Sequence, residues 1–507
     1  MQLRIGWDQL AEAVAWVARA LPSRPVVPIL AGMLLDASES GGLTLSCFDY
    51  EVSARASAAA SVAEPGRVLV SGRLLGQIAR SLPRQPVDLA ADGDSLVLRC
   101  GSARFTLLAL PAEDYPALPA LPPRTGTVDG GEFATAVSQV AVAAGRDETL
   151  PMLTGILVEI DGTDVTLVAT DRYRMAVREL GWRPEQASIQ TSALVPARTL
   201  AEAAKTMTAG TEVAISLAGG GSTDGARSGA GPGSGGAGVG ASGVGPGSGG
   251  AGVGASGSDP GGEGAGPDSV RTAAGGPADL IGFDDGGRRQ TTRLLGTEFV
   301  TYKSRFPRQP GCRARVTAGP FAAAIRRVAL VADRESRLLL TFSGGEVVIE
   351  TGSVDGSRAV ETVAAGFDGE ESFAIAFKPQ YLLDGIVAAE AGARAYASRD
   401  TGHAAGAGRG SRSGSGAEPG SDGDARGDAG PGSDTGPGSG AGPGGEGDAG
   451  AGSGAERADG RGIAGDAPGA EPAADGPSVT LEFTTPDKPA VITGSPDFRY
   501  LLAPMRT

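Results

Sequence analysis

A nine-residue helical pattern occurs three times along the chain, and any fold has to accommodate all three copies. Leu10 to Ala18 reads LAEAVAWVA, Phe133 to Ala141 reads FATAVSQVA, and Phe321 to Ala329 reads FAAAIRRVA. In each copy the apolar residues fall at i, i+4 and i+7, which places them on one stripe of a helix. The first two copies lie 123 residues apart and the next two 188 apart, of which 60 belong to a glycine-rich stretch. Three units of about 120 residues therefore account for the body of the chain.

A second helix is predicted in each unit, at Ser71 to Ile78, Pro196 to Ala203 and Lys378 to Ile386. Short alternating segments such as Gly155 to Ile160, Val165 to Ala169 and Leu338 to Phe342 read as antiparallel strands, being rich in β-branched residues and bounded by Gly/Asp turns. The expected fold class is α+β, each unit being two helices on an antiparallel sheet. The expected boundaries are 1–124, 125–310 and 311–507. Strand edges are left over at the ends of such a series, and pairing them across a dimer would close a ring.

Two stretches stand apart from this body. Of 83 glycines, 25 lie in 219–278 and 26 in 401–478, and neither stretch contains Phe, Trp or Tyr. The first holds a direct repeat, GPGSGGAGVGASG, at Gly231 to Gly243 and again at Gly245 to Gly257. Such sequence buries too little apolar surface to offset the entropy of ordering it, so both are expected as flexible insertions. Flanked by Val213 to Leu217 and by Val479 to Phe483, they read as overgrown β-hairpin turns.

Composition narrows the chemistry. The single histidine, His403, lies in the second insertion, which argues against a His-based triad, a His general base or a His-ligated metal in a folded site. Cys47, Cys100 and Cys312 are far apart and odd in number, as expected of reduced, buried thiols. No apolar run approaches 18 residues and the first residues do not read as a signal peptide, so a soluble, cytoplasmic protein is expected. Of the formal charge of −15, only about −5 falls on the body once the insertions are set aside, which leaves room for a basic surface.

With the repeat in view, the sequence resembles the bacterial DNA polymerase III beta subunit, the replicative sliding clamp, in an actinobacterial-like form. The resemblance rests on Arg24 to Leu30 (RPVVPIL), Leu107 to Pro116 (LLALPAEDYP), Leu153 to Ile156 (LTGI), Ala169 to Ala176 (ATDRYRMA) and Ala503 to Arg506 (APMR), in that order. It implies a head-to-tail homodimer of three-domain chains, a six-domain ring with helices lining the hole. The implied role is a processivity factor that encircles duplex DNA without reading its sequence and tethers the replicative polymerase, the clamp loader and other clamp-motif proteins. The implied location is the cytoplasm, at the nucleoid. No cofactor, metal or catalytic residue is implied.

Carried over residue by residue, the resemblance places DNA contacts at Arg24, Arg73, Arg198 and Lys205, with Arg326 and Arg327 on the third-copy helix. A partner-peptide groove is implied at Leu153, Thr170, Arg172, Tyr173, Arg174 and Met175 on one side. Val300, Leu501, Ala503, Pro504, Met505 and Arg506 complete it. The implied dimer contacts are Phe105 and Leu107 on one side and Leu330 and Val331 on the other. The chain departs from the family pattern at Val300 (usually Pro), at Ala503 (usually Met) and at Thr507 (usually Leu). Loss of the Met side chain opens part of the groove floor, so a wider or weaker groove is expected.

Two other readings stand beside this one. A divergent paralogue would keep the fold as an interaction scaffold with weak or no DNA encirclement. A nuclease-like enzyme would use Asp49, Asp147 and Asp171 to hold magnesium. Nothing pairs these carboxylates at helical or strand spacing, and the glycine-rich stretches carry no Gly-Lys-Ser/Thr phosphate loop.

Overall fold

The computed structural model describes residues 1–39, 42–207, 210–217, 279–307, 309–369, 371–407 and 476–506. The chain divides into two units, Met1–Ala397 with Ala474–Thr507, and Ser398–Ala473. Of the second unit only the end of one helix is described. The glycine-rich stretches otherwise lie outside the described residues.

The three copies of the pattern form helices α1 (Trp7–Val17), α3 (Gly130–Ala141) and α5 (Ala318–Val328). The second helices are α2 (Gly72–Ser81), α4 (Ala197–Ala204) and α6 (Pro379–Ala407). The stripe is buried in every copy: Leu10, Val14 and Val17 match Phe133, Val137 and Val140, then Phe321, Ile325 and Val328, none more than 2% exposed. Within the first two units α1 packs on α2 and α3 on α4. The Asp129 carboxylate starts α3 by accepting the Glu132 amide at 2.9 Å, which satisfies one of the amides that a helix start leaves open.

The first insertion does join a hairpin, because Glu212–Leu217 pairs antiparallel with Leu280–Asp284. The second does not. The alanine-rich sequence continues α6 through Ala407, so residues 401–407 are helical and the insertion joins a helix to the strand Ser478–Phe483. Alanine is the strongest helix former, and the glycines begin to dominate only after that point.

Antiparallel strands assemble into two sheets, of fourteen and twelve strands among the described residues. Each sheet crosses from one copy to the next. Val52–Ala58 pairs with Arg288–Arg293, and Arg174–Gly181 pairs with Phe498–Leu502. The two junctions are the same structure built twice. The Arg293 amide donates to the Glu51 carbonyl at 2.9 Å, as the Ala503 amide donates to the Tyr173 carbonyl at 2.8 Å. At the other end the Ser57 amide reaches Gly287 and the Glu179 amide reaches Asp497, both at 2.9 Å.

The apolar interior differs between them. The first copy has its own core, while the buried residues of the second and third form one continuous cluster. Helix α6 rides directly on the strand Ala490–Ser495, where a Cβ at Gly494 would collide with the Ala389 carbonyl.

Candidate peptide groove and basic cleft

At the second junction the strand register sets Met175 opposite Leu501. Met175, Val168, Val177 and Tyr302 form a small buried cluster, and Phe299, Val300, Phe306, Leu157 and Leu501 pack against it. Beside it a cleft of about 700 Å³ is lined by Leu157, Leu194, Leu295, Phe299, Val300 and Tyr302, among others. The Tyr302 hydroxyl donates to Glu159 at 2.5 Å, and burial together with that carboxylate raises its pKa. This is a concave apolar floor with polar groups at its edge, the form that a peptide-binding groove takes.

On the opposite face of the same strand, the polar residues form a lock. Arg174 bonds Asp171 through Nε at 2.9 Å, Asp384 of α6 through Nη1 at 2.5 Å, and the Tyr500 hydroxyl at 3.4 Å. Its guanidinium lies 4.2 Å from the Tyr381 ring centroid. Burial opposes the charge on Arg174, but Tyr500, Asp384 and Asp171 outweigh it and raise the pKa, so the guanidinium stays charged. Thr170 accepts the Arg172 amide at 3.2 Å and donates to the Arg174 carbonyl at 2.7 Å, closing the turn. Tyr173 is 58% exposed, its ring centroid 6.3 Å from that of Tyr381.

The structure thus brings Thr170, Arg174, Met175, Val300, Leu501 and Ala503 together. The tail continues along the third copy, where the Met505 amide donates to Ala376 at 2.8 Å and the Arg506 carbonyl accepts from Arg337 at 2.7 Å. Pro504 precedes them, half-buried, and Arg172 is exposed. Leu153 is not part of the floor cluster. It is 6% exposed, and its carbonyl accepts the Gly145 amide at 2.7 Å. Tyr302, Phe299 and Phe306 were missed from sequence. In a chain with 5% aromatics, three within eight residues were the available signal.

The basic residues also converge. Arg24 and Arg198 line one cleft of about 320 Å³ at the first junction, with Trp16, Arg19 and Glu202. Arg73 donates to the Ser23 carbonyl at 3.4 Å, beside Arg24, and Lys205 pairs with Glu202 at 2.7 Å. On α5, Arg326 and Arg327 are both exposed, and Arg327 bonds Glu361 at 3.0 Å.

Of the residues expected at a dimer contact, Leu330 is 83% exposed and Val331 and Phe105 are half-buried. The Leu107 side chain is 1% exposed and belongs to the first core, so only its backbone can serve an edge; strand alternation turns Leu108 outward instead, 80% exposed. The three carboxylates of the magnesium reading are each engaged in their own turn: Asp49 with the Glu51 and Val52 amides, Asp147 with Thr149, Asp171 with Tyr173 and Arg174. Hydrogen bonds from Thr149, side chain then backbone, hold the Asp147 carboxyl below its ordinary pKa.

Three repeated helix-on-sheet units, a basic cleft at the first junction and an apolar cluster that reaches Leu501 across the second define the DNA-clamp class. Comparison with known proteins makes this specific. The DNA polymerase III beta subunit N-terminal, central and C-terminal domains match residues 1–119, 127–225 and 303–393. A beta sliding clamp of Streptomyces coelicolor is 47% identical over 76% of this chain and 88% of that protein. The beta sliding clamp of Micrococcus luteus is 40% identical over 72% and 98%, and the clamp homolog GriR of Streptomyces muensis 39% over 76% and 88%. The crystal structure of the Bacillus subtilis sliding clamp superposes with a TM-score of 0.67, at 18% identity, covering 100% of this chain and 99% of that one. The chain belongs to the DNA polymerase III beta subunit family, the sliding clamps that act as processivity factors, and the scaffold reading is not favoured.

Proposed function

We propose that two copies of the chain close head to tail into a ring around duplex DNA, as a non-catalytic processivity subunit. The observation that carries this is a pair of strand edges in the first and third copies. Ala103–Leu108 is paired only with Ser95–Cys100 on one side, and Arg358–Ala364 only with Glu346–Gly352. Both present unpaired backbone groups over six or seven residues, with Leu108 and Val360 exposed at 80% and 63%. Antiparallel pairing of one edge with the other in a second copy satisfies those groups and uses each of these two edges once. The domain limits at 1–124, 125–310 and 311–507 fit this arrangement.

Arg24, Arg73, Arg198 and Lys205 then face DNA phosphates, contacts that carry charge but no sequence information, as sliding requires. The groove at Met175, Val300, Leu501 and Ala503 takes the apolar end of a peptide from the replicative polymerase, the clamp loader or another clamp-motif protein. On this reading the chain works at the nucleoid, in the cytoplasm. Ultracentrifugation of Leu108→Lys tests the closure: the unaltered chain sediments as a dimer and the variant as a monomer. A variant that stays dimeric would move the interface elsewhere.

A further inference from the structure

The two junctions share one backbone plan, so a side-chain difference between them marks what the second junction needs and the first does not. In the shared register, Arg178 stands where the first junction has Ala56, and Asp497 where it has Gly287. Arg178 is 1% exposed, pairs with Asp497, and donates to the Ser495 hydroxyl at 3.4 Å. On the neighbouring helices, Gln139 of α3 donates to the Ala388 carbonyl of α6 at 2.8 Å; the matching residue of α1 is Trp16. The first junction has polar links too, but its Arg293, which pairs with Glu51 at 3.6 Å, is only half-buried. A buried link there is the 2.5 Å bond between the Ser53 and Thr291 hydroxyls.

Joining two sheets therefore does not require a buried ion pair. We infer that Arg178 and Asp497 are positioning residues for the peptide groove: they fix the register of Phe498–Leu502 on Arg174–Gly181 and so hold Leu501 opposite Met175. The need is physical. The strand Phe498–Leu502 is only five residues long, and its other neighbour, Ala490–Ser495, meets it through an irregular register between Ile492 and Ser495. A slip of one residue would turn Leu501 from the groove to the helix face. Arg178 lies on the same strand as Met175, three residues further on, and Asp497 immediately precedes the partner strand. A buried ion pair contributes little net stability compared with apolar residues of similar size, while a mismatched register would strand both charges. This inference rests on the groove being the peptide site.

The test uses the full chain and a fluorescein-labelled peptide ending in Leu-Phe, with affinity read by anisotropy and the Ala503 amide by hydrogen exchange. Arg178→Met removes one charge of the pair and keeps the other, so the deciding variant is Arg178→Met/Asp497→Leu, which removes both charges. The expected result is a folded double variant that melts within a few degrees of the unaltered chain, binds the peptide at least tenfold more weakly and exchanges Ala503 faster. Peptide affinity within twofold of the unaltered chain, with Ala503 exchange unchanged, overturns the inference. So does a double variant that fails to fold, since the pair would then be a stability element. If the unaltered chain does not bind the peptide, the groove reading fails, while faster Ala503 exchange in the double variant would still show that the pair sets the register.

Discussion

Asp49 and Asp171 hold the same turn in successive repeats. The Asp49 carboxylate accepts the amides of Glu51 and Val52 at 3.0 and 2.7 Å, and that of Asp171 accepts those of Tyr173 and Arg174, both at 3.0 Å. Only Asp171 also bonds an arginine side chain, at 2.9 Å. Each turn leaves two amides to one carboxylate, so Asp49→Ala and Asp171→Ala should each cost about 1–3 kcal/mol in urea unfolding. Only the second should also weaken a groove-binding peptide.

The residue after each aspartate is left-handed, Tyr50 at φ 74° and Arg172 at φ 81°. Neither is a glycine or asparagine, the residues that adopt this region at low cost. Arg172→Asn should therefore stabilise the chain by about 0.5–1 kcal/mol, seen as a higher urea midpoint at unchanged slope.

Ala503 follows directly on the strand that carries Leu501, and its amide is held by Tyr173. Ala503→Met would add apolar contact worth about 1–3 kcal/mol if fully used, which is about fivefold or more in peptide affinity. Isothermal titration with the Leu-Phe peptide checks this. An unchanged affinity would show that the peptide does not reach the end of the strand.

Cys47 is buried, and burial, then the charge of Asp49, pushes its thiol up to about 12. The folded pKa lies above the unfolded one near 9, so the contribution is complete below about pH 9 and is lost as pH rises toward 12. Unfolding midpoints should fall across that window, and less steeply in Cys47→Ser. At pH 8 a thiol reagent should reach Cys47 and Cys100 only after denaturation, both being buried, and half-buried Cys312 before them.

The repeated stripe was legible because helix periodicity is local: Leu10, Phe133 and Phe321 announce three buried faces without any knowledge of their neighbours. The two motifs Thr170 to Met175 and Leu501 to Ala503 do arrive side by side, on paired strands. What could not be read was anything set by register across the chain. Arg178 meets Asp497 from 319 residues away, and no local pattern marks the pair. The inward turn of Leu107 depended on strand phase, which shifts every side chain when misjudged by one residue. Helix α6 runs to Ala407, seven residues into a stretch whose average composition is glycine-rich, because local alanines sustain a helix that a wide average hides.

Topological retention on DNA tests the central claim most directly. The chain, labelled and placed on nicked circular DNA by a clamp loader, is followed by gel filtration before and after the circle is linearised. A ring around the duplex stays with the circle and is lost through the free ends. Retention that survives linearisation, or no retention by an intact dimer, would contradict it.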